Sequence, residues 1–110
     1  MRGKTTMVTQ QYRQGDVLLK RIGSLPAGAE RQGADGGRIV LAYGEVTGHA
    51  HAIDAAAATM YRSGNKDILE TRKGAVLRHE EHTALPLEPG YYEVIRQREY
   101  EHQGWRQVAD

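Results

Sequence analysis

The chain has 110 residues, a mass of 12.2 kDa, no cysteine and a formal net charge of +1. That length allows one domain, and the absence of thiols excludes disulfides, thiolate zinc sites and cysteine nucleophiles. With 15 basic against 14 acidic side chains the long-range pull on nucleic acid is small, and no apolar stretch approaches the ~18–20 residues that cross a bilayer.

Large apolar side chains are sparse. Leu, Ile and Val together number 20, with no Phe and one Trp, so six Tyr and thirteen Ala must do much of the packing. A domain of this size buries only about 60–70% of its unfolded surface. A metal, a partner subunit or both is therefore expected to add stability. Residues 1–13 are polar, without periodicity and without the apolar core of a signal peptide. They read as a flexible leader before a single β domain over 14–110, and the chain reads as soluble and cytoplasmic.

In chain order, Asp16–Ile22 predicts a first strand, closed by Gly23-Ser24-Leu25-Pro26. Residues 27–37 are glycine-rich and read as a loop. Arg38–Tyr43 predicts a second strand, Gly44–Gly48 a turn, and His49–Asp54 resumes alternation. The alanines of Asp54–Tyr61 favour a helix by propensity, but the run is short, and a loop or single helical turn leading into a strand suits it better. A turn at Ser63-Gly64-Asn65 precedes short strands at Ile68–Glu70, Ala75–Arg78 and Thr83–Leu87. Pro89-Gly90 punctuates the chain before the longest strand, Tyr91–Tyr100, which places Tyr92, Val94 and Arg96 on one face. A last strand is expected at Trp105–Val108. Short strands at this spacing predict an all-β fold, a small barrel or sandwich.

The five histidines carry most of the chemistry. His49 and His51 are two apart, so on a strand they share a face about 6–7 Å apart along the chain. His79 and His82 are three apart and do not share a strand face unless a turn or bulge intervenes at Glu80-Glu81. Two such pairs on neighbouring strands offer up to four imidazoles, with Glu80 or Glu81 as added oxygen ligands. That donor set suits a divalent metal, zinc first, with iron or nickel also compatible. His102 stands apart in an expected loop. Glu45, in Tyr43-Gly44-Glu45-Val46-Thr47-Gly48-His49, is the candidate general base. The competing reading of the same histidines is a hydrogen-bonded polar network, which protonation near pH 6 could turn into a pH-responsive interface.

Gly48-His49-Ala50-His51 and the later Pro89-Gly90 resemble the motifs of cupins, small metal-binding β-barrels. Gly44 stands one place off that motif's glycine, and His79 and His82 precede Pro89-Gly90 where the second cupin histidine would follow. The segments Val40–His51, Leu77–His82 and Arg96–Tyr100 also resemble a set of short uncharacterised bacterial and phage-associated proteins, a likeness that implies no function.

The expected function is metal binding at His49, His51, His79 and His82, with metal-assisted hydrolysis or oxidation of a small molecule as its catalytic form. The alternative is a non-enzymatic assembly module, a homo-oligomer whose histidines are structural or lie at a subunit interface. The Tyr/Arg strand Tyr91–Tyr100 suits self-association or a solvated face better than single-stranded nucleic acid. No Gly-rich phosphate loop is present, since Gly33–Gly37 lacks a Lys-Ser/Thr sequel.

Overall fold

A computed structural model describes residues 10–44 and 48–97. Ten antiparallel strands run β1 Gln11–Gln14, β2 Val17–Ile22, β3 Glu30–Arg31, β4 Arg38–Tyr43, β5 Ala50–Asp54, β6 Ala58–Ser63, β7 Lys66–Thr71, β8 Val76–His79, β9 His82–Pro86 and β10 Gly90–Arg96. They form a six-stranded sheet in the order β1-β2-β10-β7-β6-β3 and a four-stranded sheet in the order β4-β5-β8-β9. The two sheets are not closed into a barrel, so of the two expected architectures the sandwich is the one found.

The core follows from strand alternation. Val17 and Leu19 of β2, Tyr92 and Val94 of β10, Leu69 of β7 and Met60 of β6 point inward from the larger sheet. Ile39 and Leu41 of β4, Ile53 of β5 and Leu77 of β8 meet them from the smaller one. Tyr92, the bulkiest fully buried side chain, donates its hydroxyl to the Glu88 carbonyl (2.6 Å) and packs edge-on against Tyr12 at 5.8 Å. It does the filling that the missing Phe residues would otherwise do.

Burial, with the nearby Tyr12 second, pushes the Tyr92 phenol up to about 12 from an ordinary 10.0. The folded state therefore keeps a proton that the unfolded chain loses above pH 10. Stability is expected to fall between pH 10 and 12, by up to about 1.4 kcal/mol per pH unit. Denaturant midpoints across that range, native against Tyr92→Phe, check this. Tyr92→Phe should flatten the slope.

Some local expectations need correction. Residues 11–13, expected as part of a leader, lie instead in a strand, because Gln11–Gln14 pairs along its length with Val17–Lys20. Main-chain pairing across the Gly15-Asp16 turn, with the Tyr12 ring set on Tyr92, orders this polar stretch without a hydrophobic pattern. The glycine-rich loop contains the short β3, paired with Tyr61 and Arg62. The alanine run is as expected, a turn leading into a strand that begins at the buried Ala58. Sheet packing overrides helix propensity there. The expected strand at Trp105–Val108, and the end of the Tyr91–Tyr100 strand at residues 98–100, lie outside the described residues.

Candidate metal centre

Registers across three strands explain how the histidines meet. In the β8–β9 hairpin Val76 faces Pro86 and Leu77 faces Leu85, but His79 faces His82. One extra residue on β9 makes a bulge, so that Thr83 and Ala84 together lie across from Arg78. Without it His79 would face Thr83. The bulge, with Glu80-Glu81 as a two-residue turn, turns a three-apart pair into directly opposed residues that share a face. On the other side of β8, Ala52 of β5 faces Arg78. One step further along that antiparallel register sets His51 beside His79. His51, His79 and His82 thus form a row across β5, β8 and β9, continuing the inner face begun by Ile53 and Leu77.

Ring centroids in this row are 4.2 Å apart for His51–His79, 4.7 Å for His79–His82 and 5.5 Å for His51–His82. Donor atoms of the three residues lie within 4.8 Å of one another. Tetrahedral zinc with Zn–N bonds of about 2.05 Å needs about 3.4 Å between donors, so the rings must draw inward slightly to close on an ion. His49, just before β5, packs edge-on against His79 at 5.8 Å. It belongs to a second group, His49, His79 and Glu80, whose donor atoms also lie within 4.8 Å of one another. The structure therefore brings all four expected histidines together around His79. Glu45 and His102 lie outside the described residues.

Gln14, at the end of β1, is a site residue that the sequence reading missed. Its side chain is buried, and Nε2 donates to the carbonyls of Leu77 and Thr83, 2.9 Å each. That fixes the amide orientation and leaves Oε1 to accept from Nδ1–H of the buried His51 at 2.8 Å. The His51 tautomer follows: Nδ1 carries the proton and Nε2 the lone pair, as in a metal-ligating imidazole steered by an outer partner. Replacing Gln14 with Leu keeps the volume but strands two carbonyls and one ring N–H. We expect a loss of about 2–4 kcal/mol in stability and about 10–100-fold in metal affinity, read by urea denaturation and zinc calorimetry.

Two glycines let the backbone approach the rings. Gly15 sits at φ 56°, and a Cβ there would lie 2.8 Å from His82 Nε2 and 3.2 Å from His51 Cε1. At Gly44 a Cβ would stand 3.2 Å from His49 Cβ and 3.4 Å from His79 Nε2.

The β8–β9 turn supplies the charge. Glu80 Oε1 accepts the Ala50 N–H at 3.0 Å, and that bond, with smaller help from His49 and His79, holds its carboxyl below the ordinary 4.5. The Glu81 N–H donates to His79 Nδ1 at 3.0 Å. Glu81 Oε2 lies 2.9 Å from His49 Nδ1, but off the direction of a hydrogen bond, and among the described residues that buried nitrogen has no hydrogen-bond partner.

The centre opens on a cleft of about 590 Å³. Its walls include Val40, Leu41 and Tyr43 on one side and Asp16 and Arg96 on another. Arg96 bridges the two sheets here. Its Nε donates to the Leu41 carbonyl at the β4 bulge (2.7 Å), and its Nη1 pairs with Asp67 (2.7 Å). Tyr43, exposed at the rim, donates its hydroxyl to Asp35, and this bond raises its phenol above the ordinary value.

A family model described as a domain of unknown function, DUF8820, matches residues 13–97. The chain belongs to that family. The match begins at β1 and ends just past β10, so the family unit takes in Gln14 and both histidine pairs. No curated protein and no solved structure matches the chain. Among the described residues, no helix is long and apolar enough to cross a membrane.

Proposed function

We propose that the chain is a divalent-metal protein in which His51, His79 and His82 hold the ion, with His49 alongside. The observation that carries this reading is the Gln14–His51 bond. A buried imidazole whose Nδ1–H is engaged at 2.8 Å, and whose donor atoms lie within 4.8 Å of two further histidines, is arranged as a ligand. A polar network of neutral histidines would instead give each ring nitrogen a hydrogen bond, and among the described residues His49 Nδ1 has none. Zinc suits three imidazoles best, and iron(II) or nickel is also compatible.

The ion would face a cleft of a size that takes a small molecule. That favours a catalytic centre, acting through metal-activated water or dioxygen, over a closed structural one. Glu45 keeps its proposed role as general base on sequence grounds alone. A chain without thiols suits the cytoplasm but does not require it. The assembly reading predicts instead a closed, dry site at a contact between copies.

Cobalt(II) substitution separates the two. An open site changes its visible absorption on adding azide, whereas a closed one does not. No thermal shift on adding zinc, nickel or iron(II) to tag-free protein would sink the metal reading in either form.

A further inference from the structure

We propose that the chain holds a second divalent cation, bounded by His49, His79 and Glu80, beside the one at His51, His79 and His82. The inference rests on that three-histidine centre as the first position.

The donors divide around His79. His51 and His82 share a single group with it. His49 and Glu80 fall outside that group and form their own with His79. Two further observations point to a ligand there. Among the described residues His49 Nδ1 is buried without a hydrogen-bond partner, a costly condition that a cation would relieve. Glu80 is anchored by the Ala50 N–H through one oxygen, which fixes its carboxylate beside the turn. Glu81 Oε2, 2.9 Å from His49 Nδ1, adds negative charge that favours a cation.

The group stands between two clefts. Glu80 lines a cleft of about 560 Å³ together with His79 and His82, bordered by Arg38, Asp54 and Arg78. His49 lines the first cleft, which Glu80 does not reach.

One imidazole serves two cations by giving one nitrogen to each. Filling both positions therefore releases the His79 ring proton to solvent and moves the Glu81 N–H off Nδ1. The second position carries a carboxylate where the first has only nitrogen. It should take the harder divalent ions more readily than the first does.

The test is a cobalt(II) titration of chelator-stripped, tag-free protein, counting equivalents by visible absorption. It is repeated on Glu80→Gln and His82→Ala, with metal-free melting curves as the folding control. Glutamine keeps an oxygen for the Ala50 N–H and removes only the anionic ligand. We expect two equivalents in the native chain and one in each variant. One equivalent in the native chain, unchanged in Glu80→Gln, overturns the second position and leaves the first. Two equivalents persisting in Glu80→Gln overturn it too, by placing the second ion elsewhere. No bound cobalt at all removes both positions. Should His82→Ala fail to fold, Glu80→Gln decides alone.

Discussion

Replacing His79 with alanine is expected to lower zinc affinity by more than about a hundredfold. Removing even a group that only orients a ligand costs about 10–100-fold, and His79 belongs to both donor groups. No neighbour replaces it. His49 and Glu80 form a three-donor group only with His79, and so do His51 and His82. The fold should tolerate the change, because His79 ends β8 at the turn and is only half-buried. Calorimetry with zinc, beside a metal-free melt, checks both halves. Retained tight binding in a folded His79→Ala protein would place the ion elsewhere.

Leu77→Ala should produce the largest loss of stability. Leu77 is fully buried, two residues before His79 on the same inner face of β8. Truncating such a leucine costs about 2–5 kcal/mol, against about 5–15 kcal/mol for a whole domain. At about 4–8 °C per kcal/mol for a domain near this size, melting should drop by at least about 8 °C. Saturating zinc should restore part of the loss, because ligand bound only by the folded state adds to its stability. Urea denaturation with and without zinc measures both terms. A loss under about 1 kcal/mol would mean that the thin core does not centre on this residue.

Much of the fold was legible because alternation is a strong signal in this chain. Arg38–Tyr43 was bounded correctly from its β-branched run, and Tyr92 and Val94 were assigned to one buried face. The four histidines were legible as a group because each pair is close in sequence and the two pairs fall at the ends of neighbouring short strands. The need for a turn or bulge at Glu80-Glu81 was also readable, since three-apart residues cannot share a strand face.

What escaped depends on long-range pairing. The bulge that sets His82 opposite His79 has no local marker in His82-Thr83-Ala84-Leu85-Pro86. Gln14 reaches carbonyls 63 and 69 residues away in sequence, and it lies just past a stretch whose polarity resembles a tail. Its one local hint was position, directly before the Gly15-Asp16 turn. The Arg96 bridge was hidden in the same way. Its alternation with Tyr92 and Val94 could be read, but its partners Leu41 and Asp67 could not.

The sparse aliphatics pointed from the start to stability supplied from outside the apolar core. The histidine row gives that expectation a location, because it continues the inner face of the smaller sheet where Ile53 and Leu77 leave off. An ion there would tie β5, β8 and β9 together at the edge of the core.

The most direct test is the metal content of tag-free protein as purified, measured by mass spectrometry alongside His51→Ala. The account predicts stoichiometric zinc, iron or nickel in the native chain and its loss in the variant. A native chain that carries no stoichiometric metal, and whose melting temperature does not move on adding any of the three ions, would contradict it.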